Sequence, residues 1–114
     1  MPEAFINGAR IYYQVHGRGF PLILSHGLGS DHTMWALQVA AFKERFKVVL
    51  WDFRGHGRSE TTEEGYSLKQ FVEDERELLR YLGIETAHVG GLSLGGLVSS
   101  WFAASYPEMT GSLV

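Results

Sequence analysis

The sequence predicts an α/β fold, with a mostly parallel sheet and helices on both of its faces. From residue 20 onward, apolar strand-like runs alternate with segments of helical periodicity. Glycine-rich turns follow several of these runs. This alternation is typical of βαβ units, whose crossover helices cover both faces of a parallel sheet. With 114 residues, the chain is long enough for one domain with a modest core.

The first elements are a hairpin and a buried strand. Residues 5–12 carry Asn7 and Gly8 at their centre, and Asn-Gly suits the two positive-φ positions of a type I′ turn. Residues 21–25 are continuously apolar, as in a strand that is buried on both faces. A loop at residues 26–30 and a helix at residues 31–45 are expected next.

A second buried strand at residues 46–51 leads into a glycine-rich loop at residues 52–59. The clearest helix spans residues 68–82. A capping box formed by Ser67 and Gln70 begins it, and Gly83 follows its last residue.

The final predicted elements surround a tight turn. A strand at residues 86–92 precedes it, and an apolar helix at residues 94–106 follows. Residues 112–114 are typical of the start of one more strand. Neither a linker nor an internal repeat interrupts this order.

Composition excludes several classes of function. Apolar residues make up 45% of the chain, and the net charge is −3 without a basic block, so a nucleic-acid partner is not expected. There is no cysteine, and no cluster has metal-ligand spacing, so we expect neither a metal nor a cofactor. The first residues lack a signal peptide, and no apolar run is long enough to span a membrane. These features favour a cytoplasmic protein.

Glycine-rich turns after strands also occur in nucleotide-binding folds, but the required spacing fails here. Gly27 and Gly29 are followed by His32 where a third glycine is needed, and the second glycine-rich loop fails in the same way. Leu97 occupies the position of a P-loop lysine. Nucleotide binding is therefore excluded.

The turn before the last helix contains Gly-x-Ser-x-Gly, with Ser93 between Gly91 and Gly95. A serine on such a strand-to-helix turn projects its hydroxyl outward, and side chains at the two glycines would collide across the reversal. In this context the motif indicates the nucleophile elbow of a serine hydrolase.

Two further motifs support this interpretation. His26-Gly27-Leu28-Gly29 closes one strand, and the loop at residues 52–59 closes the next. Together with the elbow, they make the whole chain resemble the N-terminal half of the α/β-hydrolase family. The segment that continues through Met34, Trp35 and Gln38 looks most like 3-oxoadipate enol-lactonases and related small carboxylesterases.

The resemblance implies a role for each matching position. Ser93 would be the catalytic nucleophile acting on a small ester or lactone, and the backbone N–H groups of Leu28 and Leu94 would form the oxyanion hole. His26 and Trp35 are candidates for lining a substrate pocket. For both of them, we favour a structural role, in the loop for His26 and in the core for Trp35.

Other polar residues have structural interpretations. Arg54 and His56 resemble a family loop that is pinned by hydrogen bonds and charge pairs. His88 is expected to be a buried, hydrogen-bonded ring in its strand. The charged positions of the long helix are expected on its solvated side: Glu73, Glu75, Arg76 and Glu77.

No histidine follows Ser93, and Glu108 is the only later acid. In proteins with this elbow, the triad's acid and histidine come after the serine. We therefore expect residues 1–114 to be the N-terminal part of a single α/β-hydrolase domain, without the C-terminal strands, the cap and the Asp and His loops. Three hypotheses remain open: an esterase or lactonase completed by another segment, a non-catalytic hydrolase-like module, and a cofactor-free oxidative or perhydrolytic enzyme of the same fold.

Missing strands would leave an apolar sheet edge and a partly bare last helix. We therefore predict self-association or binding of a complementing C-terminal half, with light scattering across a dilution series as the measurement. A monomer with cooperative unfolding at high concentration would contradict self-association. Five apolar residues are expected to face water in part: Val89, Leu92, Val98, Trp101 and Phe102.

Overall fold

The N-terminal hairpin pairs β1 (Glu3–Ile6) with β2 (Ala9–His16) in antiparallel register. The computed structural model describes residues 2–114. In the turn between the strands, Asn7 has φ 48° and Gly8 has φ 77°. The two positive angles confirm the type I′ turn that Asn-Gly predicts.

Four parallel strands form the rest of the six-stranded sheet. They are β3 (Phe20–Ser25), β4 (Phe46–Trp51), β5 (Ala87–Gly91) and β6 (Thr110–Leu113). The sheet order is β1-β2-β4-β3-β5-β6, and β2 pairs with β4 in antiparallel register. The prediction of a mostly parallel sheet is confirmed, and β6 begins two residues before the predicted strand.

The predicted single helix at residues 31–45 is wrong in its bounds. A 3-10 helix at His32–Trp35 comes first, and the α-helix α1 covers only Ala36–Phe42. The Asp31 carboxylate accepts the Thr33 N–H and tightens the first turn. No residue of α1 is buried.

Two longer helices lie on the opposite face of the sheet: α2 (Leu68–Tyr81) and α3 (Leu94–Ser105). Ser67 caps α2 by accepting the Gln70 N–H at 3.1 Å. The Gln70 side chain donates instead to Asp74, so only half of the predicted capping box is present. Among residues 2–114, no helix is both long and apolar enough to span a membrane.

The core is divided by the sheet. The larger cluster lies under α2 and α3 and includes Trp51, Phe53, Leu79 and Phe102. The smaller cluster lies under α1, where Trp35, Val39 and Phe46 pack on four buried strand residues: Leu22, Leu24, Val48 and Leu50.

Part of the expected apolar exposure is wrong. Val89, Val98 and Phe102 are completely buried, because β5 and α3 pack on one another and β6 flanks them. Leu92 and Trp101 are exposed to 58% and 51%, as predicted.

The expectation that all four charged positions of α2 are solvated is wrong for Glu75. This residue is fully buried, and neither carboxylate oxygen has a hydrogen-bond partner among the described residues. Burial raises the pKa of its carboxyl group from 4.5 to about 8. Glu75 follows Val72 by three residues and precedes Leu79 by four, so it lies on the apolar face of the helix.

Replacing Glu75 by glutamine should change how stability depends on pH. Between pH 4.5 and about 8, the folded state holds a proton that the unfolded chain releases. The free energy of unfolding should therefore fall as the pH rises through this window, by up to about 1.4 kcal/mol per unit. Urea unfolding at several pH values should show this slope in the parent and a flatter profile in Glu75→Gln. Glu85→Gln, at an exposed position, is the control, and a parent-like slope in Glu75→Gln would contradict the assignment.

Candidate active site

Ser93 lies at the junction of β5 and α3, and its side chain is exposed. Its backbone has φ 59° and ψ −119°. A non-glycine residue in such a region costs about 1–3 kcal/mol and is found mainly at functional sites. Asn7, in the hairpin turn, is the other non-glycine residue with positive φ within residues 2–114.

The two glycines of the motif allow the backbone to pack closely around this turn. A Cβ atom on Gly95 would lie 2.0 Å from the carbonyl oxygen of Ser25, at the end of β3. One on Gly91 would lie 2.3 Å from the carbonyl carbon of Gly95. The predicted collision across the reversal is therefore confirmed. The first turn of α3 is pressed against the end of β3, and this contact holds Ser93 in its strained conformation.

The loop after β3 lies beside the serine. A Cβ atom on Gly27 would be 3.7 Å from the Cβ of Ser93, so the two backbones are close neighbours. The Ser30 N–H donates to the Gly27 carbonyl at 3.0 Å and closes the loop into a turn. Leu28 is the residue after Gly27, and Leu94 is the first residue of α3. N–H groups in the first turn of a helix have no intrahelical partner.

His26 has a structural role in this loop. Its ring is completely buried, its Nε2 accepts the Phe53 N–H at 3.0 Å, and its Nδ1 donates to the Gly27 carbonyl at 2.7 Å. Burial is the main reason that the pKa of His26 lies below its ordinary value, which favours the neutral ring. These contacts agree with the structural interpretation of His26, and a place beside a substrate pocket stays a prediction.

Trp35 lies in the 3-10 helix and packs on the smaller core cluster beneath α1. Its Nε1 is buried without a hydrogen-bond partner among the described residues. This position agrees with the core interpretation of Trp35.

The loop at residues 26–30 is followed by His32, which forms a buried pair with Asp52 that the sequence did not predict. The Asp52 carboxylate accepts the backbone N–H of His32 at 2.6 Å and the ring Nδ1–H at 2.9 Å. It also accepts the Arg58 N–H at 2.9 Å. Asp52 is fully buried, and His32 is 7% exposed. The two residues are 20 positions apart, and nothing in their local sequence signals the pairing.

Arg54 and His56 hold the loop at residues 52–59, as predicted. Arg54 is buried and donates to both carboxylate oxygens of Asp74, at 2.7 and 2.8 Å. Asn7 donates to the same carboxylate, and His56 donates to the Arg54 carbonyl. This charge-assisted network joins the hairpin, the loop and α2.

His88, predicted to be buried, is half-buried and hydrogen-bonded to Ser112 at 2.7 Å. Within residues 2–114, no hydrogen bond reaches the Ser93 hydroxyl, and no group of three or more His, Asp or Glu residues could hold a metal ion. The described residues therefore provide an exposed serine hydroxyl and nearby backbone N–H groups, without a base in contact with the serine.

Residues 21–114 match the sequence profile of the alpha/beta hydrolase fold. The chain belongs to the α/β-hydrolase family. The six-stranded, mostly parallel sheet with helices on both faces is the architecture expected from that membership. The Ser93 turn, the loop at residues 26–30 and the loop at residues 52–59 lie where strands of this hydrolase fold end.

Named relatives are similar over 70% to 99% of the chain. A putative carbamate hydrolase, RutD, of Azorhizobium caulinodans is 36% identical over 99% of this chain and 43% of its own length. The 3-oxoadipate enol-lactonase 1 of Acinetobacter baylyi is 45% identical over 70% of this chain and 30% of its own. The crystal structure of the enol-lactonase from Burkholderia xenovorans superposes with a TM-score of 0.95 and 36% identity, covering 98% of this chain and 45% of that one. The chain thus spans less than half the length of these relatives, and the predicted resemblance to enol-lactonases is confirmed.

Alanine substitutions at Gly95 and Gly96, made one at a time, should show whether close packing or helix propensity determines the effect on stability. Gly95→Ala places a methyl group 2.0 Å from the Ser25 carbonyl oxygen, and we expect it to destabilise the hydrolase fold by about 3 kcal/mol or more. For Gly96→Ala the nearest atom, the Gly91 oxygen, is at 3.4 Å. This change should be neutral or stabilising by up to about 1 kcal/mol. Denaturant unfolding measures both, and equal losses would contradict the packing argument.

Proposed function

We propose that this chain supplies the nucleophile and the oxyanion hole of a serine hydrolase that acts on carboxylic esters or lactones. The observation that carries the proposal is the exposed, strained Ser93 at the N-terminus of α3. Strain of this kind is retained where the surrounding structure enforces it, and it is common where chemistry requires a projected side chain.

In the proposed reaction, the Ser93 Oγ attacks the carbonyl carbon of the substrate while a base removes its proton. The carbonyl π bond opens, and the negative charge moves to the carbonyl oxygen. The N–H groups of Leu28 and Leu94 would stabilise this oxygen, at about 3 kcal/mol for each donor. The positive end of the α3 dipole favours the same charge. As the intermediate collapses, the bond from the acyl carbon to the leaving oxygen breaks, that oxygen takes the proton held by the base, and an acyl-serine remains. Water, deprotonated by the same base, then attacks the acyl carbon and releases the carboxylic acid and the free serine.

We further propose that the base and its acid partner come from residues other than 1–114. A serine hydroxyl needs an adjacent base, which is usually histidine. Here the rings of His26 and His32 are committed to Phe53, Gly27 and Asp52. The relatives extend well beyond the matched region, and the corresponding polypeptide is the proposed source of the histidine and the acid.

The substrate class rests on the names of the relatives. An enol-lactonase and a carbamate hydrolase both cleave an acyl carbon from a heteroatom, and this chemistry suits a serine nucleophile.

A non-catalytic module that keeps the elbow is the second candidate, favoured by the absence of a base beside Ser93 within residues 2–114. The two candidates differ in whether Ser93 becomes acylated once the complementing half is present.

Residues 1–114 alone should hydrolyse p-nitrophenyl acetate only feebly, and Ser93→Ala should change this rate little. Without a triad base, the remaining catalysis comes from the oxyanion hole and binding, about 10³–10⁴-fold over water in other serine hydrolases. In the complemented enzyme, Ser93→Ala should abolish turnover, while Ser100→Ala, at an exposed position of the same helix, should not. Initial rates across a range of ester concentrations are the measurement.

Two outcomes would contradict parts of the proposal. Saturable esterase activity of residues 1–114 that is lost in Ser93→Ala would place a base within this chain or in a second copy. A complemented protein that is folded but inactive, and in which Ser93 does not become acylated, would favour the non-catalytic module.

A further inference from the structure

A pocket of about 320 Å³ lies between β2, β4 and the helical segment that contains α1. It is separate from the Ser93 turn and from the loop at residues 26–30, neither of which contributes to its lining. A cavity of this size with a mixed lining is typical of a site for a small organic molecule. Its apolar lining residues are Ala36, Val39 and Leu50, and its polar ones are Gln14, His16, His32 and Thr33.

A hydrogen-bonded row of side chains on β2 forms one wall of the pocket. Alternate residues of a strand point to the same face, and Gln14 lies opposite Leu50 in the pairing of β2 with β4. The Gln14 amide donates to the Tyr12 hydroxyl at 2.8 Å, and its Oε1 accepts from the Nε2 of His16 at 2.9 Å. Because Nε2 of His16 carries the proton, the neutral ring has its lone pair on Nδ1.

His32 lies toward the other end of this row. Its ring centre is 5.0 Å from that of Tyr12, whereas His16 follows Tyr12 by four residues, or about 13 Å along the strand. The Asp52 carboxylate accepts the Nδ1–H of His32 at 2.9 Å, so the neutral ring has its lone pair on Nε2. The carboxylate polarises the ring and makes this nitrogen a stronger hydrogen-bond acceptor.

Both of these ring nitrogens are accessible and without a partner. Each histidine makes its ring hydrogen bond through the other nitrogen, within residues 2–114. Neither nitrogen is among the fully buried polar atoms that lack a partner, so both retain contact with solvent. No Asp, Glu, Lys or Arg side chain of the described residues lines the pocket. The pocket therefore offers two uncharged acceptors beside an apolar wall.

A metal ion is the main alternative ligand for two imidazoles. Structural zinc sites almost always use four protein ligands. No group of three or more His, Cys, Asp or Glu residues could hold a metal ion in the part of the chain that the structure describes. The apolar lining would also contribute nothing to the binding of an ion. These observations favour an organic ligand that donates hydrogen bonds.

We propose that this pocket binds a small neutral organic molecule with an apolar ring and a hydroxyl group at each end. One hydroxyl donates to Nε2 of His32 and the other to Nδ1 of His16. The ring packs against the apolar wall of Ala36, Val39 and Leu50. The inference does not use Ser93 and is independent of the proposed function.

The first experiment titrates residues 1–114 with para-xylylene glycol, an aromatic ring with a hydroxymethyl group at each end. At about pH 8, where ordinary histidines are neutral, we expect saturable binding that shifts the ring ¹⁵N signals of His16 and His32. Amide hydrogen exchange in residues 36–42 should slow, because a ligand that binds only the folded state stabilises it. The bis-methyl ether of the same glycol has no donor and should bind at least about tenfold more weakly.

Two variants remove one acceptor each and keep the hydrogen bond that holds the residue in place. His32→Asn retains an N–H for Asp52, and His16→Gln retains one for Gln14. Each should weaken glycol binding about fivefold or more. His88→Asn is the matched control, because His88 bonds to Ser112 through Nδ1 and does not line the pocket. Ala36→Leu fills the pocket without changing a histidine and should abolish binding, which provides a test even if His32→Asn fails to fold.

Four outcomes would overturn the proposal. They are equal affinities for the glycol and its ether, undiminished binding in Ala36→Leu, a ring proton on Nδ1 of His16 or on Nε2 of His32 in the free protein, and binding of Zn²⁺ without binding of the glycol. The last outcome would assign the pocket to a metal ion. Glycol binding by a complemented protein in which Ser93 never becomes acylated would refute the proposed function and leave this inference intact.

Discussion

The close approach of three backbone segments at Ser25, Gly91 and Gly95 is the constraint on which the site depends. A single methyl group at Gly95 would overlap the Ser25 carbonyl oxygen at 2.0 Å, so α3 can begin against the end of β3 only because no side chain intervenes. This contact orients the first turn of α3 and forces Ser93 into its positive-φ conformation. It also brings the Gly27 backbone next to the serine. The proposed nucleophile and its two candidate N–H donors are thus positioned by packing of the main chain.

The loop at residues 52–59 forms a second layer behind this contact. Consecutive residues of this loop hold both ends of the segment at residues 26–32: Phe53 donates to His26, and Asp52 accepts from His32. The loop is fixed in turn by the buried pair of Arg54 and Asp74, which also receives hydrogen bonds from the hairpin and from α2. A charged pair at this depth is retained only when its hydrogen bonds are satisfied, and the hairpin, the loop and α2 all contribute to them.

Local patterns in the sequence predicted most of the elements and the elbow, because their causes lie within a few residues. The Asn7-Gly8 turn, the buried runs of β3 and β4 and the glycines beside Ser93 are of this kind. Such local patterns cannot predict the pairing of Asp52 with His32, because it depends on two strand ends meeting in space. The prediction that Glu75 is exposed is wrong because charged residues on a helix normally face solvent. Only tertiary packing shows that this position faces the core. The late start of α1 reflects the 3-10 turn capped by Asp31, where a local hydrogen bond outweighs helical periodicity.

The absence of buried residues in α1 bears on how the molecule opens. Only Val39 of α1 packs on the smaller core cluster, so this helix contributes less to the global free energy of folding than α2 or α3 does. It therefore belongs to the less stable part of the fold and can unfold while the rest remains intact. Its loss would not disturb the parallel pairing of β3 with β4, whose register needs no residue of the helix. His32 lies before α1 and stays bound to Asp52. Proteases would therefore cut first in residues 36–45, and the nicked protein would keep the serine and its neighbouring loop in place.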